Sequence, residues 1–270
     1  MPQYKVKHAI GLFCFLFTLL TNSSGLMAKC NKELVNGWAG EWEPFITGAY
    51  DKPAGLDMEV LNAVIRASGC TWKNTNLVIP WARHLGLIKL GKLDLATAAT
   101  WTKERAEYAY FTQPYRRESV AIFVRKSDLE KYVQYSLETL FDKLHTIGVE
   151  RGNSYGTVMD ELLAAFDQQV EKVNDNKQNV SKLMNKRIDG YLGSLPYDSM
   201  LIKKMDFENM IVPLPLSIVN TGDIHIMLSK EANSKELFQA LESGLFEIKN
   251  NGIYDAIITK YSEKYGVSYW

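Results

Sequence analysis

Two features of the chain carry groups suited to holding a negatively charged molecule. The run Arg151-Gly152-Asn153-Ser154 lies between a predicted strand and a predicted helix. The first N–H groups of a helix have no partner inside it and the helix dipole attracts anions, so Asn153 and Ser154 are candidates for an anion site. Ser154 also suits an ordinary N-cap role without any ligand. Arg105 presents a fixed fork of donors that matches a carboxylate, although taken alone it is equally a surface arginine at a helix start.

Aromatic side chains at two positions offer flat surfaces for a ligand. Trp42 and Trp81 have rings that stack on apolar, planar or cationic groups. The alternative is that both rings serve only to pack the protein. Arg83, two residues after Trp81, faces either a cleft or solvent, and the sequence leaves these two interpretations open.

The chain shows no pattern typical of a catalytic or metal centre. Its four histidines, at positions 8, 84, 145 and 225, have no metal-ligand spacing, and no Gly-x-Ser-x-Gly elbow is present. Glu41 or Glu43, beside Trp42, is suited to acid–base work only if it is buried. We therefore predict a protein without a metal or cofactor that is not an enzyme.

The hydrophobic periodicity predicts alternating strands and helices. Such alternation is typical of mostly parallel sheets with helices on their faces. Pro213 and Pro215 are expected to interrupt regular structure at 212–215. Helices are predicted at 58–67, 81–90, 155–166, 234–249 and 253–265, and strands at 70–73, 93–98, 121–125, 146–150, 188–192 and 224–228.

The N-terminus has the features of a secretory signal peptide over residues 1–28. Lys5 and Lys7 precede an apolar run at 9–20, which is shorter than the ~20 residues of a membrane-spanning helix. We expect cleavage after Ala28, with an uncleaved anchor as the alternative. Residues 1–28 hold two lysines and no acid, so the remaining 29 basic and 31 acidic side chains leave a net charge of −2. This balance gives no electrostatic basis for binding nucleic acid.

Cysteine usage also fits an oxidising compartment. Cys14 lies inside the predicted signal peptide, which leaves Cys30 and Cys70. A disulfide between them is favoured in such a compartment, with two buried thiols as the alternative. Lys29 stands where a lipid-modified cysteine would need a small residue before it, so we expect no lipid on Cys30.

Seven short motifs are spread along the whole chain. They are EWEPF at 41–45, GLDMEVL at 55–61, LIKLGKLD at 87–94, TKER at 102–105, FTQPY at 111–115, IGVERGNS at 147–154 and NGIY at 251–254. Each motif is weak alone, but their order behind the predicted signal peptide resembles that of the bacterial periplasmic solute-binding proteins of the polar amino-acid type, family 3.

The resemblance implies an α/β, two-lobed periplasmic-binding-protein fold of type II. Each lobe is then a mostly parallel sheet flanked by helices, and two hinge strands join the lobes, near 115–118 and 220–223. Lobe 1 would comprise residues 29–117 and 222–270, and lobe 2 residues 118–221. The lobes would close on a small polar or carboxylate-bearing ligand in the periplasm. A monomer that delivers it to the membrane subunits of an ABC transporter is expected.

The resemblance also implies roles for single residues. Arg105 would grip the ligand carboxylate with help from Thr100, and Trp42 and Trp81 would sandwich the rest of the ligand. Ser194 stands where amino-acid binders of this type carry an aspartate for the ligand ammonium.

Two departures from the family pattern bear on the ligand. Asp198 could replace the missing aspartate at 194 only if the loop there differs, and Ala39 replaces a second acid used by binders of basic amino acids. Lysine, arginine and histidine are therefore poor candidate ligands on this comparison.

Two other functions fit the same scaffold. A periplasmic enzyme, similar to a dehydratase that shares the scaffold, would turn over the bound ligand. A protein that presents its ligand to a separate sensor would instead bind without transport. The solute-binding function remains the main prediction.

Overall fold

The computed structural model describes residue 30 and residues 32–266. The predicted signal peptide at 1–28 lies outside this part of the chain. Among the described residues, none of the helices combines the length and the hydrophobicity that a membrane-spanning segment needs. Strands and helices alternate through most of its length, as the hydrophobic periodicity predicts.

The described part of the chain contains twelve strands, most of them short. Ten of them join in one sheet and the other two, β2 and β3, form a separate hairpin. The strands are β1 (Glu33–Trp38), β2 (Thr47–Ala49), β3 (Lys52–Ala54), β4 (Thr71–Val78), β5 (Leu95–Thr100), β6 (Ala109–Phe111), β7 (Arg116–Arg125), β8 (Ile147–Glu150), β9 (Val170–Val173), β10 (Gly190–Ser194), β11 (Ile211–Pro213) and β12 (Val219–Ser229).

Ten α-helices flank the sheet in the same part of the chain. Three short 3₁₀ turns accompany them, at Lys126–Asp128, Asp167–Gln169 and Pro215–Ser217. The helices are α1 (Leu56–Ala67), α2 (Trp81–Lys89), α3 (Lys103–Tyr108), α4 (Leu129–Tyr132), α5 (Leu137–Phe141), α6 (Thr157–Ala165), α7 (Asn176–Met184), α8 (Leu195–Lys204), α9 (Lys235–Asn250) and α10 (Ile253–Tyr265).

The sheet consists of two parallel halves joined by antiparallel strands. Its order is β4-β1-β5-β12-β7-β10-β8-β9, and β6 and β11 add to β12 and β7. Pairing is parallel among β4, β1 and β5, and again among β10, β8 and β9. Each half is therefore a small parallel sheet that is extended at one edge by a strand of opposite direction.

Strands β7 and β12 connect the two halves. Residues 116–120 of β7 pair with 219–224 of β12 in antiparallel register. Further along, β12 pairs with β5 and β7 pairs with β10, so each connecting strand belongs to both halves of the sheet. This is the predicted α/β, two-lobed fold with two hinge strands, and the prediction is confirmed.

Separate hydrophobic cores support the two lobes. In the first lobe, Leu61 of α1 and Leu245 of α9 are buried with strand residues such as Leu34. In the second lobe, Phe141 and Leu192 belong to a different cluster. Each parallel sheet needs apolar cover on both faces, which the helices on either side of it provide.

Helix α1 illustrates how local signals set the element bounds. Its buried residues Leu56, Val60, Leu61 and Val64 recur at helical spacing, as the sequence predicts. Gly69 follows the helix with a φ of 68°, a left-handed conformation that glycine adopts without steric cost and that ends the helix.

Most predicted elements differ from the observed ones in their bounds, and two of the differences have a clear local cause. Helix α6 begins at Thr157 and not at 155, because Gly156 has a φ of 85° that is incompatible with a helix. The expected interruption at 212–215 is only partly correct. Residues Ile211–Pro213 form strand β11, which pairs with β7 on one side, so Pro213 lies on an edge strand where proline is tolerated.

The disulfide between Cys30 and Cys70 is present. The two residues lie 40 positions apart in the chain, and their Cα atoms are 5.1 Å apart, within the normal range for a disulfide. Cys30 precedes β1 and Cys70 precedes β4, and these strands are parallel neighbours. The bond therefore ties the N-terminal end of the described chain to the first lobe.

Candidate functional site

A cavity of about 400 Å³ lies between the two halves of the sheet. This volume falls within the range of about 300–1,000 Å³ that is usual for small-molecule sites. Its walls come from both lobes, at the ends of several strands and at the starts of the helices that follow them. The predicted site residues that line it are Trp42, Trp81, Thr100, Arg105, Asn153, Ser154 and Ser194.

Arg105 reaches across the cavity from the first lobe to the second. Thr102 is the N-cap of α3, as predicted, and its side chain accepts a hydrogen bond from Arg105 N at 3.1 Å. Arg105 is buried, with 5% of the residue exposed. Its Nη1 donates to the Thr100 carbonyl and its Nη2 to the Gly152 carbonyl, both at 2.7 Å. Burial lowers the pKa of Arg105, but an arginine remains charged at any physiological pH.

The turn at 151–154 is shaped by a close approach of the two lobes. Gly152 has a φ of 86°, and a Cβ at this position would lie 3.1 Å from Ala82 Cα in helix α2. Any side chain here would therefore strain the backbone and push the lobes apart. Position 152 is thus one of the points that bring the second lobe close to the first.

The hydroxyl group of Ser154 already has an acceptor inside the protein. Ser154 Oγ donates to Asp160 Oδ2 at 2.6 Å, and Tyr155 N donates to Asp160 Oδ1 at 2.8 Å. Asp160 lies in the first turn of α6, where a carboxylate interacts favourably with the helix dipole. The protein's own acid therefore occupies part of the anion site that the sequence predicts at Asn153 and Ser154.

Both predicted tryptophans lie on the cavity wall. The ring centroid of Trp42 is 4.6 Å from that of Phe45 and 5.9 Å from that of Tyr197, which belongs to the other lobe. Trp81 lies with its ring centroid 5.8 Å from the guanidinium carbon of Arg105. Each ring thus has one face or edge supported by protein and contributes to the surface of the cavity.

Arg83 is not brought to the cavity. Its side chain is exposed and does not belong to the cavity wall. The reason is helical geometry, because residues three apart share a face of α2 and residues two apart do not. Trp81 and His84 share the inward face, with ring centroids 5.4 Å apart, and Arg83 points away from them.

His84 is a buried residue of the cavity wall. Its side chain packs against Gly37, where an added Cβ would lie 2.5 Å from the ring, and its Nε2 is 3.3 Å from the Leu95 carbonyl. Burial lowers the pKa of His84 to about 4, so the ring is neutral at pH 7. In the described part of the chain, no group of three acidic, histidine or cysteine side chains is placed to hold a metal.

Acidic side chains that were not among the predicted site residues also line the cavity. Glu118 lies on the hinge strand β7, and Glu150 is the last residue of β8. Asp198 of α8 joins them, which the sequence considered only as a substitute for an acid at 194. One signal was available: ligands of open α/β sheets bind beyond the carboxyl ends of the strands, and Glu150 is at such an end.

Burial raises the pKa of each of these acids. The pKa of Glu150 rises to about 8, with a further contribution from the charge of Asp175. Burial likewise places the pKa of Asp198 well above its usual value. For Glu118, burial raises the pKa while Arg116 and Ser194 act in the opposite direction. A positively charged group that enters the cavity would therefore favour the ionised form of these three acids.

A chain of polar contacts holds Glu118 in place. Arg116 Nε donates to Asp57 Oδ1 at 2.8 Å and its Nη2 donates to Asp57 Oδ2 at 3.0 Å, and both side chains are fully buried. Arg116 Nη1 lies 3.8 Å from Glu118 Oε1. Ser194 Oγ donates to the same Glu118 oxygen at 2.7 Å. The chain runs from helix α1 of the first lobe, through the hinge strand, to β10 of the second.

Comparison with known proteins identifies the family. A model of the bacterial extracellular solute-binding proteins, family 3, matches residues 34–264, which is nearly all of the described chain. The chain belongs to this family. The family predicted from the motifs is thus confirmed.

Relatives and solved structures agree with this assignment. Two similar proteins are both called "Probable histidine-binding protein". The one from Campylobacter jejuni subsp. jejuni is 24% identical over 250 residues, covering 90% of each chain. The one from Neisseria gonorrhoeae is 26% identical over 222 residues, covering 78% of this solute-binding protein and 76% of the relative.

Similar folds occur in both binding proteins and a sensor. An ancestral arginine-binding protein bound to arginine superposes with a TM-score of 0.71 at 21% identity, covering 85% of this chain and 97% of that one. A histidine kinase sensor domain similar to periplasmic binding proteins also gives 0.71 at 21% identity, covering 86% and 96%. At 21% identity, these superpositions show that the chain shares its fold with both proteins.

Proposed function

We propose that this solute-binding protein captures an amino acid, holding its carboxylate at Arg105 and its ammonium group at Glu118. One observation carries the proposal: a single cavity presents a buried guanidinium and a carboxylate that is only 10% exposed, each with hydrogen-bonding capacity left over. A zwitterion is the small molecule whose charges match such a pair.

The carboxylate end of the site rests on the donors of Arg105. A guanidinium has five N–H donors. Two hydrogen bonds, to the carbonyls of Thr100 and Gly152, are made within residues 30–266. The remaining donors are available for a carboxylate, and Trp81 covers the guanidinium from one side. Charge-assisted hydrogen bonds of this kind are about twice as strong as neutral ones.

The ammonium end of the site rests on Glu118. Its Oε1 accepts from Ser194, while its Oε2 accepts no hydrogen bond from the described residues. The side chain is 10% exposed, so this oxygen is accessible from the cavity. Position 194 thus holds a serine in place of the expected aspartate, and this serine orients the carboxylate of Glu118 on the neighbouring hinge strand.

The remaining parts of the function are also proposals. The protein acts in the periplasm as a monomer, without catalysis, and delivers its ligand to the membrane subunits of an ABC transporter. Lobe 1, residues 29–117 and 222–270, and lobe 2, residues 118–221, close around the ligand. The family assignment and the names of the similar proteins support the binding role and the small-molecule ligand.

Titration calorimetry with the purified protein tests this function. We expect saturable binding of at least one of the common L-amino acids. Analogues of that ligand without the carboxylate or without the amino group should bind at least ten times more weakly. Absence of saturable binding across all common L-amino acids would contradict the proposal.

Two arginine variants separate the site from general charge effects. Arg105→Ala removes the carboxylate partner and should weaken binding by about 2–4 kcal/mol, or roughly 30- to 1000-fold. Arg83→Ala is the matched control, because it removes the same charge from a nearby position outside the cavity. Equal effects of the two changes would refute the role of Arg105.

A further inference from the structure

The second lobe contributes an acid to the cavity that has no partner of opposite charge. Glu150 lies at the end of β8 and lines the cavity. Its side chain accepts no hydrogen bond and forms no ion pair with any other described residue, that is, with residue 30 or residues 32–266. By contrast, Asp175 accepts two hydrogen bonds from Gln178, and Asp198 accepts one from Asn176. Among the described residues, Glu150 thus differs from Glu118, Asp175 and Asp198 in that neither of its carboxylate oxygens accepts a hydrogen bond, so the whole carboxylate is left for a ligand.

The groups around Glu150 do not neutralise it. Burial raises the pKa of Glu150 and the charge of Asp175 raises it further, while Glu150 adds to the burial that raises the pKa values of Tyr155, Tyr197 and Asp198. Lys177, on α7, lines the same cavity without forming an ion pair to Glu150. The titratable and charged groups that face Glu150 from neighbouring elements are Tyr155, Asp175, Lys177, Tyr197 and Asp198.

We propose that Glu150 binds a second positively charged group of the ligand, so that the site selects amino acids with cationic side chains. This inference rests on the proposed function, since the other two charges of the ligand occupy Arg105 and Glu118. Trp42 and Tyr197, with ring centroids 5.9 Å apart across the cleft, add aromatic surface that is favourable to a cation. The proposal reverses the expectation drawn from Ala39 and Ser194.

Binding of such a ligand also displaces a proton. In the protein without a ligand, Glu150 has a pKa of about 8, so it is mostly protonated at pH 6. A bound cation favours the ionised form and lowers this pKa, so one proton leaves as the ligand enters. Affinity for a cationic side chain therefore rises as the pH increases toward 8 and levels off above it.

Arginine and citrulline are a matched pair of probes. They have the same length and the same carboxylate and amino groups, but citrulline replaces the guanidinium by a neutral group. We expect the unchanged protein to bind arginine at least tenfold more tightly than citrulline at pH 8. Arginine affinity should rise more than tenfold between pH 6 and pH 8, while citrulline affinity changes little.

Variants at position 150 complete the test. Glu150→Gln should abolish the preference for arginine and its pH dependence while citrulline binding is kept. Glu161→Gln, the same change at an exposed position of α6, should leave both unchanged. A Glu150→Gln protein that still prefers arginine would overturn the proposal, as would equal binding of the two probes to the unchanged protein. If neither probe nor any other amino acid binds, it is the proposed function that fails.

Discussion

Replacing Asp57 by asparagine tests the buried ion pair at the base of the hinge. The change keeps the size of the side chain but removes the negative charge that faces Arg116. It also turns one of the two acceptor oxygens into an amide donor, which faces a guanidinium donor. Arg116 then has Glu118, 3.8 Å away, as its remaining partner of opposite charge. The side chains of Arg116 and Asp57 are both fully buried.

The expected loss follows from this burial. Breaking a buried pair by removing one partner costs about 3–5 kcal/mol, because the remaining charge stays desolvated. That is a large part of the roughly 5–15 kcal/mol of stability of a typical protein. For a chain of this size, it corresponds to a decrease of roughly 6–20 °C in melting temperature.

Urea unfolding followed by circular dichroism measures this free energy. Glu33→Gln is a suitable control, because Glu33 pairs with Lys73 at 2.7 Å while the two side chains are 45% and 60% exposed. An exposed pair of this kind contributes about 0–1 kcal/mol. If Asp57→Asn costs no more than Glu33→Gln, the buried pair does not stabilise the fold as described.

Three further changes probe the disulfide and the contacts between the lobes. Reduction of the Cys30–Cys70 bond should lower the free energy of unfolding by about 4 kcal/mol, given its separation of 40 residues, and identical urea curves with and without reductant would exclude this. Gly152→Ala should raise the ligand Kd roughly 5- to 30-fold in calorimetry, because the added methyl group strains a backbone of positive φ and contacts the other lobe, which opposes closure. An unchanged Kd would contradict this reasoning. Lys204→Met removes an exposed ion pair to Glu41, 2.8 Å long, between the lobes. It should change the free energy of unfolding by less than about 1 kcal/mol, and a larger loss would show that the pair stabilises the protein more than its exposure indicates.

Features with local causes were predicted well from the sequence. Helix α10 begins at Ile253 and ends at Tyr265, as its periodicity indicates. Thr102 caps α3, and this cap orients the start of the helix that carries Arg105. The order of the motifs identified the family and, through it, the topology. This topology includes the two strands that cross between the lobes, which no local pattern specifies.

The acids of the cavity could not be predicted in the same way. A glutamate is usually exposed, and no local pattern shows that Glu118 is held by Arg116 and by Ser194, which lies 76 residues away in the chain. Glu150 shares the cavity with Lys177 of α7 and Asp198 of α8, which follow it in the chain by more than 25 positions, so no local pattern indicates this environment. Strand β9 and the β2–β3 hairpin were also missed, since their short runs lack a clear alternation.

A crystal structure of the protein with a bound amino acid is the most direct test of the binding site. We expect the ligand between the lobes, with its carboxylate within about 3 Å of the Arg105 guanidinium and its ammonium group at the same distance from Glu118. A ligand bound elsewhere, or bound in this cavity without contact to either side chain, would contradict the central claim.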